Sequence, residues 1–439
     1  MLSQTGIRWS ATGTVVALVA ALAGCGDAEA EPPGIVRTSA CAVSAPAGFQ
    51  DAGVGAAVLG QIRDAAGQGG VDTTSAQRVS TAAQTQAALE RYAAEACTLT
   101  ALIGPGGSGA LAQVAADNPD RAFLAVGAGV DIELPDNVLT VDFDLREAAF
   151  LAGFTAASAT RTGTVAVSVA AGQYAGEELL TAFDEGVRAR ADQLDGEVAV
   201  VEAGATAPRT LEDTVAAGQD WADAAIAADA DVLVPFGSAS PQGVADRIGT
   251  LAEEEEADDE DATDDVGGAK DAADDTDGAA HGGAEDLSGP ADGGAADGGA
   301  ADGEPEGASA EESELPVLIW YGSDGSKTLP RPVRHQVIAS IDPDVGLGMR
   351  AVLTGWPGDG GDPEELVQWA DADGDGGEDA VPELVGGLEV RARAAVGDLD
   401  NGGVDVVASD GVLGSITGLG RTIADGKELL DDAGDEDDG

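Results

Sequence analysis

Aromatic side chains make up only 3% of this 439-residue chain, with seven Phe, three Tyr and five Trp. Its cores must therefore be built mainly from Ala, Val, Leu and Ile. Positive charge is also scarce: 21 Lys and Arg stand against 81 Asp and Glu, a formal charge of −60. Such a surface repels phosphate backbones and anionic headgroups, so no nucleic acid partner is expected. Histidine occurs twice, as His281 inside an acidic tract and as His335, which has no G-x-S-x-G elbow to serve. With only three cysteines besides, there is no Cys/His cluster for zinc and no nucleophile–base pair for hydrolysis. No enzymatic activity and no cofactor are expected.

Two glycine-containing stretches invite stronger readings and do not sustain them. "GPGGSG", residues 104–109, follows a strand and opens a helix, as a dinucleotide fingerprint does. The next strand, "AFLAVG", ends in Gly127 where that fold wants an acid. The stretch is read as a turn that lets a helix N-terminus approach a ligand or another loop. "DADGDG", 371–376, matches the first half of a calcium loop. Its twelfth position is Pro382, with Glu383 one place late, so no metal is assigned to 371–383.

At the N-terminus, Arg8 and the apolar run "ATGTVVALVAALAG" form a targeting segment too short for the ~20 residues of a bilayer span. It closes on "LAGC", which resembles a bacterial lipobox, so residues 1–24 read as a lipoprotein signal peptide and Cys25 as the lipidated residue. An ordinary secretory signal is the alternative. The polar stretch 25–35 would be a tether to the outer face of the cell membrane. Cys41 and Cys97 are then an even pair in an oxidising compartment, each at the start of an expected strand. They read as a disulfide, or alternatively as two buried free thiols.

From residue 36 to 250, short apolar runs alternate with Ala-rich helical stretches. The runs include "LTALIG", "AFLAVG", "VLTVDF", "TVAVSVA", "VAVVEA" and "DVLVPFG"; one helical stretch is "TSAQRVSTAAQTQAALERYAAEA". Alternation of this kind predicts parallel sheets covered on both faces, here two doubly wound α/β lobes. Residues 252–314 are Asp, Glu, Gly and Ala with almost no branched or aromatic residues. They are expected to be a solvated, disordered insertion. A shorter acidic tail spans 426–439.

Past the insertion, "LPVLIWYGSDGS" at 315–326 runs apolar and then breaks into small residues, delivering one carboxylate, Asp324, to a glycine-rich strand end. This stretch and four others resemble the basic membrane protein family, substrate-binding lipoproteins of ABC transporters typified by purine nucleoside receptors. The others are "ALIGPGGSGALAQVAADNPDRAFLAVG", residues 137–189, "ADVLVPFGSASPQGV" and "VIAS" at 337–340. Together they cover most of 36–345 outside the insertion, and in the family's order.

The resemblance implies a type I periplasmic-binding-protein fold, two Rossmann-like lobes with a hinge and a central ligand cleft. Lobe 1 would be 36–142, completed by about 345–425, and lobe 2 would be 143–344. The hinge would bend at the crossovers near Asp142–Asp144 and Ser340–Asp342. It also implies a small-molecule ligand, a nucleoside in the typical member, and an ABC permease as partner. Asp324 takes the place of the family's hydroxyl-binding Asp. Phe49 and Gln50 match an aromatic and an amide of its first ligand loop, and Phe236, Gly237 and Trp320 complete the candidate set. Four polar family positions are lost: an acid pair to Pro46 and Ala47, another acid to Gly127, and a lysine to Pro343. A lipoprotein that kept the fold for sensing or interaction but lost transport is the alternative function.

Overall fold

Each of the six apolar runs named between residues 36 and 250 becomes a strand. The computed structural model describes residues 38–267 and 315–437 except 45–48, 50–51, 69–70, 80, 96, 130–131, 170–174, 205–210, 238–239, 347–348, 350–351, 354–366, 371–380, 385–388, 392–393 and 410–417. Cys25, Gln50 and the calcium-like residues 371–380 thus lie outside the described residues.

The first lobe is built from β1 (Thr38–Ser44), α1 (Val54–Gly67), β2 (Val71–Arg78), α2 (Ala82–Ala94), β3 (Leu99–Ile103), α3 (Ser108–Asp117), β4 (Ala122–Val126) and β5 (Val138–Phe143). The second repeats the plan with α4 (Arg146–Ala159), β6 (Thr164–Val169), α5 (Gly176–Gln193), β7 (Ala199–Gly204), α6 (Leu211–Ala227), β8 (Val232–Phe236), α7 (Ser240–Gly267) and β9 (Val317–Tyr321). After the short helices α8 (Gly325–Thr328) and α9 (Arg331–Arg334) comes β10 (Val337–Pro343). The parallel strands of one sheet run β2-β1-β3-β4-β5 and those of the other β7-β6-β8-β9-β10, the same doubly wound order twice. The chain forms a two-lobed α/β periplasmic-binding-protein-like fold.

Burial on both faces explains the continuous apolar strands. In β3, Leu99, Ala101 and Ile103 enter a large cluster shared with α1 and α4, whereas Leu102 enters a second one with Tyr92, Leu111 and Phe123. In β9, Val317, Ile319 and Tyr321 join the large cluster, while Leu318 and Trp320 join a third with Trp221 and Ile248. Alternation along the strand thus separates Trp320 from its neighbour Tyr321.

Three elements depart from the sequence expectations. Thr74–Arg78, read there as helix, pairs with β1 as strand β2, and α2 begins only at Ala82, where the Thr81 hydroxyl accepts from the Gln84 amide. Helix α7 runs sixteen residues into the acidic insertion, and its first part there, AEEEEA, is made of strong helix formers. Residues 268–314 lie outside the described residues.

The C-terminal region divides between the lobes. Strands β11 (Val367–Ala370), β12 (Val381–Leu384), β13 (Glu389–Arg391) and β14 (Ala394–Gly397) extend the first sheet, with β14 parallel to β5. The chain then crosses back at 398–403, and β15 (Val404–Ala408) pairs antiparallel with β10 of the second sheet. The final helix, α10 (Leu419–Asp437), packs on α4 and β15. The return to lobe 2 thus comes at 404, not near 425. With 144–145 and the stretch after Pro343, this makes three connections between the lobes.

Cys41 lies within β1, Cys97 just before β3, and the two strands are neighbours. Their sulfurs form a disulfide that closes a separation of 56 residues.

Candidate functional site

A doubly wound sheet offers a ligand site beyond the carboxyl ends of its strands, where the strand order reverses. In this chain those points lie between β1 and β3 in one sheet and between β6 and β8 in the other. The segments after β1 and β8 carry Phe49 and Gly237 and so lie at these points, whereas Asp324, after β9, lies one strand further along the second sheet.

Among the sequence candidates, Phe49 and Phe236 belong with Tyr321 to the same apolar cluster. Phe236 is fully buried, and its ring centre lies 5.9 Å from that of Tyr321 at 48°. Gly237 follows it at φ 127°, a conformation that side chains rarely adopt, and so turns the chain sharply off the strand. Trp320 is not brought to this group. It is buried on the face of β9 covered by α6 and α7, against Gly325, where a Cβ would lie 2.8 Å from the Trp320 side chain. It offers no open ring face for a flat ligand.

Asp324 caps α8. Its Oδ1 accepts from the Ser326 amide (3.1 Å) and hydroxyl, and its Oδ2 pairs with Lys327 Nζ at 2.7 Å. Burial pushes this carboxyl up, but the hydrogen bonds from Lys327 and Ser326 and the lysine charge outweigh it and hold it below its usual range. The Lys327 side chain is 79% exposed against 14% for Asp324, so the pair reaches from the strand end out to solvent.

Two acids that the sequence reading used only as hinge markers also sit near strand ends, and one of them, Asp342, interacts with Asp324. Asp142 closes β5, and its Oδ1 accepts from the Gly129 amide at 3.3 Å. Burial raises its carboxyl against the backbone hydrogen bonds from Gly129 and Ala128. Asp342, near the end of β10, is pushed up to about 6, first by burial and then by the charges of Asp344, Asp324 and Asp405, against Lys327. Both were detectable as acids that end otherwise apolar strands. Their shifts depend on neighbours from separate segments and were not.

"GPGGSG" has a packing explanation. Gly107 caps α3 at φ 89°, and a Cβ there would lie 2.9 Å from Thr85 of α2, so the turn lets two helices approach. A cavity of about 390 Å³ lies elsewhere, at the root of the crossovers, between Asp144, Glu147, Phe150, Glu185, Asp398 and Asp400 among others. His335 is exposed at the end of α9. Among the described residues no group of His, Cys, Asp or Glu is arranged to hold a metal, and no helix is long and apolar enough to cross a membrane.

Solute-binding proteins are among the proteins that have this two-lobed α/β fold, and comparison with known proteins assigns the chain to that class. A family model described as ABC transporter substrate-binding protein, PnrA-like, matches residues 38–266, just over half of the chain. The chain belongs to this family of ABC transporter substrate-binding proteins. Membership brings an extracytoplasmic setting, a small-molecule ligand and a permease partner. Among solved structures, a solute-binding protein of an ABC transporter system from Aeropyrum pernix K1 is 14% identical with a TM-score of 0.53. The match covers 90% of this chain and 86% of that one. A transcriptional activator of the comK gene from Bacillus halodurans is 11% identical with a TM-score of 0.50, over 88% and 95% of the two chains. At such identities these two likenesses concern the fold alone. No curated protein matches the sequence.

Proposed function

We propose that this chain is a lipid-anchored receptor, held at the outer face of the cell membrane through Cys25, that captures a nucleoside and delivers it to an ABC permease. The observation that carries the reading is the position of Asp324. It is a largely buried, ionised carboxylate at the end of a parallel strand of the second lobe, one residue beyond a direct contact with the first. Such a group is suited to accept hydrogen bonds from sugar hydroxyls. Phe49, with Phe236 behind it, supplies an apolar wall for a base, and Gln50 and the backbone at Gly237 would fix its polar edge. Trp320 is left out of the contact set, because its ring packs on the opposite face of the strand.

Thermal unfolding in the presence of nucleosides, sugars, polyols and amino acids tests the reading. A ligand at 1,000 times its Kd stabilises the folded state by about 4 kcal/mol, a readily detected shift. Stabilisation by nucleosides and not by amino acids is expected; no shift with any nucleoside would overturn the ligand class. Changing Cys25 to Ala should release the protein from membranes, and unchanged membrane association would overturn the anchor.

A further inference from the structure

The segment between Phe49 and α1 belongs to the first lobe, yet it is tied to the second. The Ala52 carbonyl oxygen accepts a hydrogen bond from the Trp320 indole Nε1 at 3.3 Å and another from the Ser323 hydroxyl. Trp320 Nε1 also reaches Ser323 Oγ at 3.2 Å, so the two donors support each other. The Ala52 methyl packs on the second lobe's helix-side cluster. Ala52 itself sits at φ 50°, a left-handed conformation unfavourable for alanine, which aims its carbonyl across the gap. Opposite it, Gly322 at φ 108° comes so near that an added Cβ would lie 2.9 Å from Gly53 Cα and 3.3 Å from Val54 N. Backbone therefore meets backbone at this point.

We propose that Trp320 and Ser323 form a latch on the Ala52 carbonyl that sets how far the two lobes close, which makes both positioning residues for ligand capture. The inference rests on reading the lobes as a ligand trap, but the latch needs no ligand to form. A burial role alone explains the ring of Trp320 but not the convergence of two donors from one lobe on a single carbonyl of the other. The strained alanine and the bare glycine at the meeting point belong to the same device. The link between this latch and the site is short: Ala52 lies three residues after Phe49, and Ser323 immediately precedes Asp324. Closure by this contact brings the two proposed ligand-binding segments together.

Paired spin labels on Arg63→Cys in α1 and Arg331→Cys in α9, both at exposed positions, read the separation of the lobes without any ligand; Cys25 is replaced by Ser in all samples. The starting protein should give a dominant short distance. Ser323→Ala, which leaves the apolar core intact, and Gly322→Ala, which wedges the contact, should both lengthen or broaden the distribution. Ala52→Gly keeps the carbonyl and relieves the strained φ, so it should keep the short distance. An unchanged distribution in both Ser323→Ala and Gly322→Ala, with the proteins folded by circular dichroism, would overturn the latch. A failure of nucleosides to bind would leave these distances untouched, so the two proposals fail separately.

Discussion

Gly153 of α4 and Gly186 of α5 face each other so closely that a Cβ on either would overlap a carbonyl oxygen of the other helix, Phe183 for the first and Phe150 for the second. Helix α4 is the first element after the β5 crossover. Its backbone-to-backbone seating on α5, backed by Gly426 of α10 against Leu151 and Phe154, makes the second lobe rigid just beyond a hinge.

Gly153→Ala should therefore destabilise the protein by roughly 3 kcal/mol, since the clash is with backbone that cannot rotate away. Gly60→Ala, in α1 with open space around the added methyl, should stabilise it by about 0.5–1 kcal/mol through helix propensity. Urea unfolding of the two variants measures both, and equal effects would refute the packing argument.

The Cys41–Cys97 bond closes a long loop around β2 and α2. In the chain-entropy model a loop of this length contributes about 4 kcal/mol by restricting the unfolded chain. Replacing both cysteines by alanine should lower the unfolding midpoint accordingly. Peptide mapping of unreduced protein should recover residues 41 and 97 in one linked pair.

Asp342 makes stability depend on pH in a predictable direction. Its folded carboxyl titrates at about 6, above the ordinary 3.8, because burial and then Asp344, Asp324 and Asp405 oppose its charge. The stability it contributes is fully present below about pH 3.8 and is lost as pH rises through about 6. Asp342→Asn should remove this dependence and raise the melting temperature at pH 7.5 by roughly 2 °C. Melting curves between pH 4 and 8 check it, although other carboxylates also titrate at the acid end. The informative quantity is the difference between variant and parent, and a constant difference across that range would contradict the assignment.

How much of this was legible beforehand follows from where each residue sits. Strands β3 to β6 and β8 to β10 are buried on both faces and therefore read as unbroken apolar runs. Strand β2, "VDTTSAQR", lies at the edge of its sheet with several residues exposed, so its composition matches a helix start as well as a strand. The return of the chain at β15 was missed for a related reason: it is a short antiparallel edge strand in which only some residues are buried. For the site, the acid at the end of "LPVLIWYGSDGS" was visible, as was the strict alternation of Trp320 and Tyr321. Which neighbours each face meets is decided by α6 and α7 on the Trp320 side and by α4 and α5 on the other, elements distant in sequence from β9. The latch on Ala52 depends on a contact between residues 271 apart in the chain and left no local signature.

Calorimetric titration with adenosine, guanosine, inosine, uridine and cytidine tests whether Asp324, besides capping α8, holds a ligand as proposed. At least one nucleoside should bind the parent chain. Asp324→Asn, which keeps the shape but removes the charge, should weaken that binding about 10- to 150-fold, the equivalent of ~1.5–3 kcal/mol for a charge-assisted hydrogen bond, with little change in melting temperature. Equal affinity in the two proteins, together with a lower melting temperature for Asp324→Asn, would assign the carboxylate to the turn alone and contradict the account.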